Sequence, residues 1–300
     1  MDPQKALSDA LTQRLGMQIS LSSLPIVEEW MDARLTRWLE SVPLPMEMPA
    51  GGVADITVAV ASDLQRLTWS AYGSPPGFIP KLAKYLDVSG AKPTDLEVIN
   101  AIGETFEPKY VGSWIEVTPG AVATGWQFQN YFELSTLRPY LGDNAAAERV
   151  AQWVESKGLS VIHNVRSGLD SERLMIQLPL DGVDDWTSIV EAALAEFGQG
   201  ADTSAMTSFL GTNPMARPEL GFGFSNDAVD IVAVGFSGIK SDDLASLCRS
   251  TSVAYEADIG PLGHAMGADG IDSLGYFVSE GTTRIEARFI PGTKEAKPGN

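Results

Sequence analysis

Five times along the chain, at a spacing of about 50 residues, two short strand-like runs flank a tight turn and a helix-like stretch follows. The copies share no close sequence likeness; only their order of elements repeats. The pairs are read as Asp55–Ala61 with Leu64–Tyr72, Tyr110–Val117 with Thr124–Phe132, Leu159–Arg166 with Arg173–Leu180, Glu219–Ser225 with Ala228–Phe236, and Ser273–Ser279 with Thr283–Ile290. Their turns fall at Ser62-Asp63, Thr118-Pro119-Gly120, Ser167-Gly168, Asn226-Asp227 and Glu280-Gly281. Helices are expected over residues 25–41, 78–87, 93–106, 144–157, 183–198 and 241–249, with Gly158 ending the fourth. Residues 198–214 read as a Gly/Ser/Thr-rich loop.

Hairpins separated by helices imply antiparallel strands with helices over one face. Alternation within the pairs assigns the faces. Ile56, Val58 and Val60 alternate with Asp55, Thr57 and Ala59; Leu220, Phe222 and Phe224 with Gly221, Gly223 and Ser225; Ile285, Ala287 and Phe289 with Arg284, Glu286 and Arg288. One face is apolar and suits helices. The other is polar or small. It would meet water on an open sheet and line an interior on a closed one. Alternation alone does not choose, but five like units favour closure because closure removes the edge strands. The expected architecture is α+β: one domain over 1–300, a ten-stranded antiparallel β-barrel of five αββα repeats with helices outside. Residues 1–20 and 291–300 are expected to be flexible.

Bulk properties narrow the function. The net charge is −18, which argues against a nucleic-acid partner. An anionic ligand would need a local cation cluster to overcome that field. Hydrophobic content is 44%, and no apolar run is long enough for a membrane span. The single cysteine, Cys248, fits a reducing cytoplasm. Two histidines, His163 and His264, give no His/Cys metal pattern. GxSxG, P-loop and strand-borne GxGxxG motifs are absent. Asp184-Asp185 and Asp242-Asp243 stand at helix starts, where acids suit the dipole, and no DDxxD occurs.

With this order of elements, the chain over about residues 25–290 resembles the soluble aromatic prenyltransferases of the ABBA, or PT-barrel, type. Locally, Gly125-Trp126-Gln127-Phe128-Gln129-Asn130-Tyr131-Phe132 resembles the family's second-pair strand. Ser171-Glu172-Arg173-Leu174-Met175-Ile176-Gln177-Leu178 resembles the third, and Thr283-Arg284-Ile285-Glu286-Ala287-Arg288 the last. The resemblance implies transfer of a prenyl group from an allylic diphosphate to an aromatic or indole-like small molecule inside the barrel. It implies cations on the diphosphate, aromatic faces beside the carbocation, a weak base, and walls that exclude water.

With the polar phase turned inward, Arg66, Arg166, Arg173, Arg284 and Arg288 are the expected diphosphate ligands. Arg284, Glu286 and Arg288 read equally as an ion network within the sheet. Glu116 is the expected base or acceptor anchor. Trp114, Tyr131 and Tyr276 are the expected shields, and Gln127, Gln129 and Gln177 the acceptor's hydrogen-bond partners. Glutamines stand where the family's second pair carries Lys, the fourth pair has no cation, and Trp69 stands where metal-dependent members carry an Asp. Mg²⁺ is therefore not expected, nor another cofactor, and the protein is expected to be monomeric. The alternatives are a PT barrel turned to cyclisation or isomerisation, or a non-catalytic ligand-binding protein of a natural-product pathway.

Overall fold

A computed structural model describes residues 55–290, apart from short loop stretches at 119–120, 142–143, 170–173, 213–216, 226–227 and 238–240 and parts of 199–203 and 258–269. The helix expected over 25–41, the flexible ends, Arg173 and His264 lie outside the described residues.

Ten strands form one closed barrel. They are β1 (Asp55–Ala61), β2 (Leu67–Gly73), β3 (Tyr110–Thr118), β4 (Ala121–Glu133), β5 (Val161–Gly168), β6 (Leu174–Pro179), β7 (Arg217–Ser225), β8 (Ala228–Ser237), β9 (Ser273–Ser279) and β10 (Thr282–Phe289). Each strand pairs antiparallel with its neighbours in sequence, and β1 closes on β10 through Val58↔Phe289, Ala59↔Arg288, Val60↔Ala287 and Ala61↔Glu286. The five hairpin turns therefore share one rim. Every helical connection leaves from, and returns to, the other.

Helices α1 (Pro75–Val88) and α2 (Pro93–Phe106) join the first two hairpins. A single-turn α3 (Leu134–Leu137), a 3₁₀ turn (Arg138–Tyr140) and α4 (Ala145–Ser156) join the next two. The Asn144 side chain accepts from the Ala147 amide at 2.8 Å, and Gly158 takes φ 72° past the helix end, so the expected boundaries have capping chemistry behind them. The remaining helices are α5 (Trp186–Phe197), α6 (Ser204–Gly211) and α7 (Ser241–Ser250), the last with Asp242 and Asp243 in its first turn. Helix α6 falls where a loop was expected. The segment Ser204-Ala205-Met206-Thr207 buries Met206 and Thr207, and Asp202 accepts from the Ser204 amide at 3.1 Å. Local polarity hid the helix. Capping and burial of one turn form it.

The apolar phase of the strands meets these helices. Val60, Trp69, Ile115, Phe128, Ile176, Phe222, Val234, Tyr276 and Ile285 are all nearly or wholly buried. Trp69 pairs with Val58 and Ile115 on this outer face, so it does not hold a lumen position. The Tyr85 hydroxyl of α1 lies 2.6 Å from Thr124 Oγ1, which donates to the Trp114 carbonyl at 2.7 Å, tying helix to sheet. Around Phe222, the rings of Trp153 (α4) and Phe197 (α5) lie at 5.7 and 5.4 Å in edge-to-face contact. Phe222 has no exposed surface. Phe222→Ala is expected to lower unfolding free energy by about 3–5 kcal/mol, read from the urea midpoint.

Candidate active site

The inward phase is the polar phase. Register places Thr68, Ser70, Trp114, Glu116, Gln127, Gln129, Arg166, Gln177, Glu219, Phe277, Arg284, Glu286 and Arg288 on the lumen wall. Between them stand glycines: Gly112, Gly125, Gly221, Gly223, Gly235 and Gly275. Two of these glycines make room for inward aromatic rings. A Cβ on Gly125 would lie 2.6 Å from the Trp114 ring, and one on Gly275 would lie 2.6 Å from the Phe277 ring.

Toward the hairpin rim, Arg66 Nη1 donates to Glu116 Oε1, and Thr68 Oγ1 donates to Glu116 Oε2 at 3.3 Å. The five residues between β1 and β2, where a two-residue turn was expected, put Arg66 at the barrel mouth. Burial by itself would raise the Glu116 carboxyl pKa, but Arg66, Arg166 and Arg284 together hold it below the usual carboxylate range. Arg66 is raised despite its burial, through Glu116 first and then Glu286 and Asp63. The Arg166 guanidinium lies 3.9 Å from the Trp114 ring centroid. Burial lowers its pKa, and the charge on Arg288 adds to that, while Glu116 and Glu286 oppose it. Trp114 Nε1 donates to the Trp126 carbonyl at 3.3 Å, which fixes the ring under the guanidinium. Arg284 Nε donates to Glu286 Oε1 at 2.7 Å and its guanidinium sits 4.6 Å from the Phe277 centroid. The ion network expected as the alternative for Arg284 is thus present within β10.

Toward the helical rim a cavity of about 140 Å³ is lined by Gln177, Glu219, Ser237, Asp272, Ser273, Phe277, Glu286 and Arg288, among others. A register shift between Gln129 and Phe132 distorts β4 against β5 here. Consecutive residues of β5 then both engage lumen side chains. His163 Nε2 is 3.4 Å from Glu219 Oε1, and Asn164 Nδ2 donates to Gln177 Oε1. His163 and then Arg288 hold the Glu219 carboxyl below its ordinary pKa, against its burial.

Of the residues singled out from sequence, Glu116, Arg66, Arg166, Arg284, Arg288, Trp114, Gln127, Gln129 and Gln177 share the lumen. Gln127 is 1% exposed and its Nε2 has no partner among the described residues. Two expected shields lie elsewhere. Tyr276 is fully buried opposite Val234 and Ile285, on the face that meets the helices. Its neighbour Phe277 is the inward ring, because β9 alternates from Gly275. Tyr131 is 72% exposed, displaced from the inward phase by the β4 irregularity. Glu219 and Glu286 were missed as site carboxylates. Extending the period of Gly221 and Gly223 back two residues finds the first. Among the described residues, four lumen arginines (Arg66, Arg166, Arg284 and Arg288) face three glutamates (Glu116, Glu219 and Glu286), with Asp272 at the rim of the same cavity. No three His, Cys, Asp or Glu side chains among the described residues come together as a metal-binding group.

Because the folded Glu116 pKa is depressed, its stabilising effect is complete above the ordinary carboxylate value. It is lost as pH falls through the folded value. Glu116→Gln is expected to cost roughly 1–3 kcal/mol at pH 7 by stranding Arg66, and the gap to the wild-type protein should close as pH drops below 4.5. Urea midpoints of both proteins from pH 7 to pH 3 measure this.

No known protein-family profile matches the chain. A PH domain-containing protein from Dictyostelium discoideum is 28% identical over 120 residues, 40% of this chain and 26% of that protein's length. Among solved structures, 5-dimethylallyltryptophan synthase from Streptomyces coelicolor matches with TM-score 0.62 at 11% identity, covering 93% of this chain and 95% of that one. AnaPT from Neosartorya fischeri matches with TM-score 0.55 at 10% identity, covering 82% and 79%. At such identities the likeness is one of fold, and the fold of this chain is the PT barrel of the aromatic prenyltransferases.

Proposed function

We propose that the chain transfers a prenyl group from an allylic diphosphate to an aromatic or indole-like small molecule inside its barrel, without a metal ion. The observation that carries this reading is the convergence of Arg66, Arg166, Arg284 and Arg288 on one lumen in a chain of net charge −18. Arg166 and Arg288 have no carboxylate within ion-pair distance among the described residues. Their donors are open to an incoming anion.

In this reading the allylic C–O bond breaks and the diphosphate leaves with the bonding pair, its charge met by Arg166 and Arg288. Trp114 and Phe277, whose rings already hold the Arg166 and Arg284 guanidinium groups, are the aromatic side chains beside the allylic cation. A ring carbon of the acceptor bonds to that cation, and the resulting arenium ion loses a proton. Such a proton is acidic enough for a depressed carboxylate to take, so Glu116 serves as the base without a raised pKa. Gln127, Gln129 and Gln177 orient the acceptor. Arg173 joins the diphosphate ligands in this proposal, and the protein works as a cytoplasmic monomer.

A second reading rests on the ion pairing itself. Arg66 and Arg284 are already engaged by Glu116 and Glu286. This suits a barrel that cyclises or isomerises an uncharged intermediate, or only binds it. Calorimetric titration with dimethylallyl thiolodiphosphate in EDTA separates the two. Prenyl transfer requires binding, and Arg166→Met should weaken it about tenfold or more, the loss of one charge-assisted contact. Absence of binding to every short-chain allylic diphosphate would sink the first reading and leave the second.

A further inference from the structure

The transfer reading gives no task to two groups near the helical rim, His163 and Glu219. His163 Nε2 lies 3.4 Å from Glu219 Oε1, and among the described residues no other carboxylate comes within ion-pair distance of that ring. The pair reaches across a strand, because β6 stands between β5 and β7. β6 carries no charged residue. On its own wall Glu219 is flanked by Pro179 of β6 and Gly235 of β8, and neither has a side-chain donor. Its charge must therefore be met from farther off. Two cationic groups are placed to do so, His163 and Arg288, and Arg288 lines the same cavity as Glu219. Burial raises the Glu219 pKa, but His163 and then Arg288 hold it below the ordinary value. The other charged groups around the pair are Glu286 of β10 and Asp272, both on that cavity, and Glu133 of β4, opposite Val161 in register. All three are acids, so none can replace His163 beside Glu219.

We propose that His163 is a positioning residue that frees Arg288 for the diphosphate as pH falls through the neutral range. The inference rests on the transfer reading, in which Arg288 is a diphosphate ligand. As an imidazolium, His163 pairs with the Glu219 carboxylate and cancels its charge. Arg288 then meets the incoming anion with its own charge uncompensated. As a neutral imidazole, His163 leaves a bare carboxylate on the cavity. That carboxylate attracts Arg288 and repels the diphosphate. Histidine is the side chain whose charge changes in this range, whereas Glu219 and Arg288 keep theirs.

Calorimetric titration with dimethylallyl thiolodiphosphate in EDTA at pH 7.5 and pH 6.0 tests this. Wild-type binding is expected to gain about threefold or more on acidification over any gain in His163→Gln, a comparison that cancels protonation of the ligand itself. Glu219→Gln should act in the opposite sense and tighten binding at pH 7.5 by about threefold or more. A pair that merely braced the wall would weaken binding in both variants. Because the effect runs through Arg288, the gain from Glu219→Gln should vanish in an Arg288→Gln background. An equal pH response of wild type and His163→Gln, or weaker binding by Glu219→Gln, would overturn this inference and leave the transfer reading standing. No binding at either pH would remove both.

Discussion

Everything inside this protein depends on the pairing of β1 with β10. Four residue pairs, Val58↔Phe289 to Ala61↔Glu286, convert a sheet with two edges into a closed wall. On an open sheet the arginines and glutamates of the polar face would be solvated individually, and their pairing would be worth little. Closure turns that face inward and limits its water. The charged groups must then answer to one another, which is why Glu116 feels three arginines and Arg166 feels Glu116, Glu286 and another arginine.

The outcome is a compartment far less negative than the protein as a whole. The chain carries −18, yet its four described lumen arginines match Glu116, Glu219, Glu286 and Asp272 one for one. Within that balance the two ends differ. Near the hairpins, guanidinium groups gather around Glu116 and Trp114. Near the helical rim, carboxylates and amides prevail around Gln177 and Glu219. A polar lumen graded from cationic to anionic can orient a ligand before it makes any close contact.

The barrel was legible in the sequence because alternation is a strong signal over seven or more residues, and five pairs repeat it. The inward arginines, Glu116 and Trp114 followed from the same parity. Failures cluster where parity breaks or was misapplied. Tyr131 lies at the β4 irregularity, which no local residue type announces. Tyr276 has the chemistry of a shield, but Gly275 beside it gives the inward phase to Phe277. Glu219 sits two residues before a glycine pair that read as empty lumen. Helix α6 was hidden because its stability comes from burying Met206, a tertiary fact. The balance of charge could not be read at all, since it depends on which strands face each other across the lumen.

The lumen glycines carry a consequence for how such a chamber changes shape. Its volume is set by side chains that are missing. The outer helices pack on the opposite phase of the same strands, so adding a methyl group inward leaves that packing alone. At Gly235 a new Cβ would make ordinary contacts, with Glu219 at 3.4 Å and the Leu274 carbonyl at 4.0 Å, whereas at Gly125 it would strike both a carbonyl and the Trp114 ring. Some wall positions are therefore free to fill and others are locked. The chamber can be recut one residue at a time on its β8 side while the wall beneath Trp114 stays fixed, so ligand preference can drift without the fold having to be rebuilt.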